Sequence, residues 1–252
     1  GGGGHVGGAL SCVEFLTVLY FHTLNIRPDQ PDWPERDRFV LSKGHAAPSL
    51  YAALAERGYF PVEELKRFST SETRLQKHVD MFKVPGADAS SGSLGQGLSI
   101  AVGMALADRI DRKERRVYSL IGDGECQEGQ IWEAAMSAGH LKLDNLTLIL
   151  DHNKLQIDGK VEEIKGISPI ADKWKAFRWN VIDKVDGHNI EQLITAFEKA
   201  EACKGKPSII IADTVIGKGV SFMENNVDFH GKAPSKEETC KGCDEIRSCR
   251  LD

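Results

Sequence analysis

Long apolar runs are missing from this chain of 252 residues, and no segment approaches the roughly twenty residues that a membrane-crossing helix needs. Excess basic charge is missing too. The formal net charge is −5 and the isoelectric point about 5.9, which disfavours non-specific binding to nucleic acid. The one basic run, residues 109–116, is interrupted by Ile110, Asp111 and Glu114 and reads as a solvated helix end. No initiator methionine and no signal-peptide pattern stand at Gly1 to His5; the chain starts inside a motif, so upstream residues are expected to lie outside this sequence. Internal repeats are absent. No G-x-G-x-x-G or P-loop opens a helix, which argues against a dinucleotide- or GTP-binding domain. A disulfide framework is lacking as well: Cys12, Cys126 and Cys203 are scattered, as suits a reducing, cytoplasmic setting. In the tail, Cys240, Cys243 and Cys249 have no partner Cys/His pair at finger spacing, so zinc is not expected. Ser235 and Glu238 form a capping-box pattern there, predicting a surface helix or tail over residues 235–252.

What is present suffices for one large core, at 41% hydrophobic and 27% charged residues. Val117–Ile121 and Leu146–Leu150 read as strands, with a helical stretch from Gln127 to Leu141 between them. That βαβ unit makes the strands parallel neighbours and brings their carboxyl ends to one sheet edge. Gly122-Asp123-Gly124 follows the first strand and Asn153 follows the second, thirty positions after Asp123. A carboxylate and an amide oxygen in a glycine-lined crevice suit Mg²⁺ shared with a diphosphate. Two ordinary βα turns would leave the same local pattern.

Further along the chain, Ser11 and Glu14 read as a capping box opening a helix through Leu24. Arg38–Leu41 reads as a strand, Ala47–Arg57 as a helix stopped by Gly58, and Pro61 as another helix start. Residues 70–93 form a loop long enough to be functional, and Gly95–Ile110 reads as a helix. Residues 155–168 are expected to be a connection. A helix ends at 174–179, followed by a strand at 181–185, a helix at 190–203 and a strand at 208–212. The alternation predicts a doubly wound α/β domain: a mainly parallel sheet with helices on both faces, in one domain over residues 1–252. Binding sites in such sheets lie at the carboxyl ends of strands. Lys43-Gly44-His45, Gly122-Asp123-Gly124, Asn153 and Ile216-Gly217-Lys218-Gly219 all fall there.

Five stretches, in order and spanning nearly the whole chain, resemble the transketolase family. They are Gly4-His5-Val6-Gly7-Gly8, residues 37–45, residues 92–97, residues 122–129, and Phe229-His230-Gly231-Lys232. The resemblance covers the amino-terminal, diphosphate-binding domain of that family's thiamine-diphosphate-binding fold. It implies the amino-terminal subunit of a split transketolase, or a piece of a longer one. It implies thiamine diphosphate and Mg²⁺ as cofactors, with Asp123, Asn153 and the backbone carbonyl of Leu155 as metal ligands. The implied cofactor contacts are His45, Gly92, Ser93, Leu94, Gly122, Asp123, Gly124, Glu125, Asn153 and His230. His5, His45, His78 and His230 become catalytic candidates, because ketol transfer protonates and deprotonates sugar oxygens near neutral pH. Lys43 and Lys232 are candidates to steady a phosphorylated sugar or the diphosphate. Ser93 could instead cap the following helix.

The same resemblance implies what is supplied from elsewhere. The glutamate that activates the cofactor, and the pyrimidine pocket, belong to a domain this chain lacks. A carboxyl-terminal transketolase subunit, together with a second copy of this chain, is therefore the expected partner set, in a heterotetramer acting on sugar phosphates of the pentose phosphate route or of specialised sugar catabolism. Alternatives are a non-catalytic cofactor-binding module, a deoxyxylulose-phosphate synthase-like fragment and a 2-oxo-acid dehydrogenase alpha subunit. Leu41-Ser42-Lys43-Gly44-His45 favours transketolase over the dehydrogenase.

Overall fold

Apolar runs rich in β-branched residues form the centre of the computed structural model, which describes residues 4–248. Five strands, β1 (Arg38–Leu41), β2 (Val117–Gly122), β3 (Leu146–His152), β6 (Asn180–Asp186) and β7 (Ser208–Asp213), pair in the order β1-β2-β3-β7-β6. Every pairing is parallel. The expected connection after β3 contains a small antiparallel hairpin, β4 (Leu155–Gln156) with β5 (Gly159–Lys160), then the short helix α6 (Val161–Lys165).

Alternation along the strands divides the core between two faces. Phe39, Leu41, Tyr118, Leu120, Ile149 and Ile210 pack with α2 (Val13–Val18), α3 (Ala47–Arg57) and α8 (Ile190–Ala202). Val40, Ile121, Leu148, Leu150, Ile209 and Ile211 pack with α4 (Gly97–Ile110), α5 (Gly129–Leu141) and α7 (Ile170–Ala176). The result is the doubly wound α/β architecture, with both sheet faces covered and the strand ends free to build a site.

The amino-terminal helix departs from expectation. It is broken into α1 (Val6–Leu10), α2 and a π-helical turn at Leu19–Thr23. Ser11 is not an N-cap but the C-cap of α1, and its hydroxyl donates to the Asp151 carboxylate at 2.6 Å and sits 3.0 Å from the Gly8 carbonyl. Residues following Pro61 form a 3₁₀ helix, Val62–Arg67, rather than an α-helix. At the other end, α9 (Lys236–Ser248) begins with reciprocal bonds: the Glu238 amide donates to Ser235 Oγ at 3.1 Å, and the Ser235 amide donates to Glu238 Oε2 at 2.7 Å. Cys249 lies outside the described residues. No helix among the described residues is long and apolar enough to cross a membrane.

Candidate active site

Six segments meet at the carboxyl edge of the sheet: the start of α1, the turns after β1, β2 and β3, the turn before α4 and the segment that carries His230. They enclose a cavity of about 280 Å³ whose lining includes His5, His45, Asp123, Asn153, Leu155 and His230. The histidine rings cluster, with His5 centred 5.1 Å from His45, 6.4 Å from His78 and 6.4 Å from His230. His45 and His230 are 5.7 Å apart. Residues separated by most of the chain's length therefore face one space. The Nδ1 atoms of His5 and His230 are buried without a hydrogen-bond partner among the described residues.

Asp123 is only 1% exposed. Its Oδ1 accepts the Gly124 amide at 2.7 Å and its Oδ2 the Lys154 amide at 2.5 Å. Burial and then the charge of Asp151 push its carboxyl up to about 6, against those amide bonds. Asn153 Oδ1 accepts the Leu155 amide at 3.0 Å, while its Nδ2 donates to Asp151 at 3.2 Å. A buried carboxylate and an amide side chain thus border the cavity, and both are oxygen donors of the kind Mg²⁺ takes.

Beneath them lies a group that sequence reading did not single out. Asp151 is fully buried and accepts bonds from Ser11, Lys43 and Thr214 besides Asn153. Lys43 is 1% exposed; its ammonium pairs with Asp151 and donates to the Gly8 carbonyl at 3.1 Å. Burial is the largest influence on each, lowering the lysine and raising the aspartate, but the opposite charge, its hydrogen bond and the surrounding polar groups together prevail, so Lys43 is raised and Asp151 lowered. Lys43, expected as a substrate cation, is thus held inside the floor of the site. The visible signal was an acidic residue at the end of an otherwise apolar strand.

Other expected contacts divide. Glu125 borders the cavity but turns both carboxylate oxygens inward: Oε1 accepts the Ser42 hydroxyl and the Gly95 amide (2.8 Å), Oε2 the Gly122 amide (3.1 Å). Burial raises its carboxyl, opposed by these bonds. Leu94 lines the cavity, whereas Ser93 is exposed and does not cap α4, whose N-cap is Gln96. Gly92 backs onto His78, where an added Cβ would lie 3.2 Å from the ring. Lys232 is exposed, with its ammonium 5.8 Å from the centre of the Phe229 ring. His152 turns to Asp213 at 2.9 Å. His188 bridges Glu14 and the Val215 amide.

Over residues 1–246 the chain matches the family described as transketolase, thiamine diphosphate binding domain. The chain belongs to the transketolase family. It is 51% identical over 236 residues to the 6-deoxy-6-sulfo-D-fructose transketolase subunit SqwG of Clostridium sp. (strain MSTE9), covering 94% of this chain and 86% of that protein. It is 41% identical over 235 residues to an apulose-4-phosphate transketolase subunit of Phocaeicola vulgatus, covering 93% and 83%. A crystal structure of transketolase from Campylobacter jejuni superimposes with a TM-score of 0.91 at 32% identity, over 98% of this chain and 39% of that one. The chain thus spans most of the length of the subunit-type relatives and under half of the longer transketolase. Thiamine diphosphate-dependent ketol transfer is the chemistry it serves, and the family assignment decides against the dehydrogenase and deoxyxylulose-phosphate synthase readings.

Two predictions concern this transketolase site before any cofactor binds. At Gly44, an added Cβ would lie 2.6 Å from Ser91 Oγ and 2.7 Å from the Gly92 amide nitrogen. Gly44→Ala should therefore push the turn carrying His45 away from the 91–92 segment, destabilising the fold by about 1–3 kcal/mol in urea titrations. The second concerns pH. Burial, then Lys43, hold His45 down at about 2 and His230 at about 4. Burial, then His78, also lower His5. The unfolded chain takes these protons first, so their stabilising effect is complete above pH 6.5 and is lost as pH falls below it. His45 and His230 should each forfeit about 2 kcal/mol by pH 5, with Asp123, raised to about 6, returning about 1 kcal/mol. Denaturant titrations at pH 8 and pH 5 should show this net loss, and His45→Asn should flatten it.

Proposed function

We propose that this chain is the diphosphate-binding subunit of a two-part transketolase. It moves a two-carbon ketol unit from a ketose phosphate to an aldose phosphate, with thiamine diphosphate and Mg²⁺. The carrying observation is the convergence of Asp123, Asn153, His5, His45 and His230 on one cavity at the strand ends, with the His78 ring 6.4 Å from that of His5. Asp123, Asn153 and the Leu155 carbonyl would hold Mg²⁺, and the Gly124 amide, with Gly122 and the 92–94 turn, would border the diphosphate and rings. When bound, the cofactor supplies the nucleophile and the electron sink for the two-carbon fragment.

The histidines manage protons. As the donor's C2–C3 bond breaks, the C3 hydroxyl must give up its proton so that the departing piece leaves as an aldehyde. When the acceptor's carbonyl carbon forms its new bond, the carbonyl oxygen must take one. The lowered His45 and His230 are neutral at pH 7, so each ring offers one N–H and one lone pair. In the proposed arrangement His5 and His78 face the sugar, and His45 and His230 lie nearer the diphosphate. Lys232 is the exposed cation left to meet a sugar's terminal anion.

The proposed assembly pairs two copies of this chain with two carboxyl-terminal subunits, which supply the pyrimidine pocket and activating glutamate, in the cytoplasm. The relatives' names support the two-part reading, since both are called subunits. Pentose phosphate interconversion is the proposed setting. The 51% identical relative adds 6-deoxy-6-sulfofructose as a second donor to assay. Ketol transfer from xylulose 5-phosphate and from 6-deoxy-6-sulfofructose, measured on the reconstituted pair, tests the reading; turnover of neither would refute it.

A further inference from the structure

We propose that Glu125 is a positioning residue that locks the Leu94 turn to the Asp123 turn, so that two walls of the cofactor crevice form one rigid piece. Glu125 is only 2% exposed. Its oxygens collect donors from three segments: the Ser42 hydroxyl after β1, the Gly95 amide before α4, and the Gly122 amide at the end of β2. Ser42 extends the chain of bonds, because its oxygen also accepts the Gly97 amide at 3.1 Å. Gly97 leaves no room for slack, since an added Cβ would lie 2.5 Å from the Ser42 Cβ. Gly95 has φ +85°, and an added Cβ there would lie 2.8 Å from the Glu128 Cβ. The turn bearing Leu94 is thus pressed between the start of α5 and the end of β1, and Glu125 ties it to β2.

The chemistry requires a carboxylate. Donors reach it from both sides, and an ionised carboxylate is acceptor-only at both oxygens. A glutamine of the same shape must turn its NH₂ toward either Gly122 or the Ser42–Gly95 pair, leaving buried donors facing a donor. Burying a carboxylate is unfavourable without such bonds, so a residue needed only for packing gains nothing from the charge. Leu94, Asp123 and Glu125 all border the cavity, but both Glu125 oxygens are engaged by Ser42, Gly95 and Gly122, so its effect on a ligand passes through those neighbours. The inference rests on the proposed seat of thiamine diphosphate between these two turns.

Glu125→Gln, Ser42→Ala and their combination are compared in the protein reconstituted with its carboxyl-terminal partner. Thiamine diphosphate with Mg²⁺ is titrated calorimetrically, and amide exchange is followed at Gly95, Gly97 and Gly122. Glu125→Gln should weaken cofactor binding by roughly tenfold or more. It should speed exchange at Gly95 or Gly122 and leave the sugar KM unchanged at saturating cofactor. Ser42→Ala should act in the same direction but add little to Glu125→Gln, because one chain of bonds is cut twice. Glu125→Asp, which keeps two acceptor oxygens, should recover part of the affinity. Unchanged affinity and protection in Glu125→Gln, or fully additive losses, would overturn the proposal. Should Glu125→Gln fail to fold, Ser42→Ala alone decides: normal cofactor affinity with normal exchange at Gly97 overturns it. Asp123→Ala, run in parallel, separates the two levels, since normal binding there would refute the site itself rather than the role of Glu125.

Discussion

Asp123→Ala is expected to weaken binding of thiamine diphosphate with Mg²⁺ by well over tenfold, on the order of 2 kcal/mol or more. The proposed ligand set has one charged member, and the substitution removes it. The fold should not suffer in proportion. Burial raises the carboxyl of Asp123, so in the cofactor-free chain its charge is itself a source of strain, relieved by the amides of Gly124 and Lys154. The expected signature is therefore lost affinity with nearly unchanged thermal stability in the absence of cofactor. Calorimetry of the reconstituted protein, with melting curves measured without Mg²⁺, checks both halves. Retained affinity in the variant would remove Asp123 from the metal site.

The sheet was legible because its strands are short apolar runs bounded by turn residues, and the βαβ rule then brought Asp123 and Asn153 to one edge. The clustered histidines were legible only through the family resemblance, since nothing in local sequence says that His5 and His230 meet. What stayed hidden shares a physical cause: bonds between distant positions. Ser11 looked like a helix cap, yet its partner Asp151 is 140 positions away. Lys43 looked like a free cation, yet its counter-charge is 108 positions away. Glu125, a cofactor contact by the family resemblance, has its carboxylate drawn inward by Ser42, 83 positions distant, and by Gly95. Helix ends were displaced for the same reason, as at Ser11, where a tertiary bond outcompeted a local cap.

The second large effect concerns the partner. In the proposed reading this chain would provide the Mg²⁺ ligands and a glycine-lined crevice, and the partner the activating glutamate. Apolar side chains stand at the rim: Leu94 and Ile157 line the cavity and are 37% and 67% exposed. Phe82, in the loop that also carries His78, is 89% exposed. Exposed apolar groups around a half-open crevice fit a face that a second domain covers, and without that cover a bound cofactor would be solvated along one side. Two-fold pairing of two such halves is the usual closed arrangement. The most direct test is the rate of ketol transfer from xylulose 5-phosphate to an aldose phosphate, with saturating thiamine diphosphate and Mg²⁺, by the purified chain alone and then once the carboxyl-terminal subunit is supplied. The rate is predicted to sit at background for the chain alone and to rise by orders of magnitude as the partner approaches a one-to-one ratio; full activity from the chain alone would contradict the account.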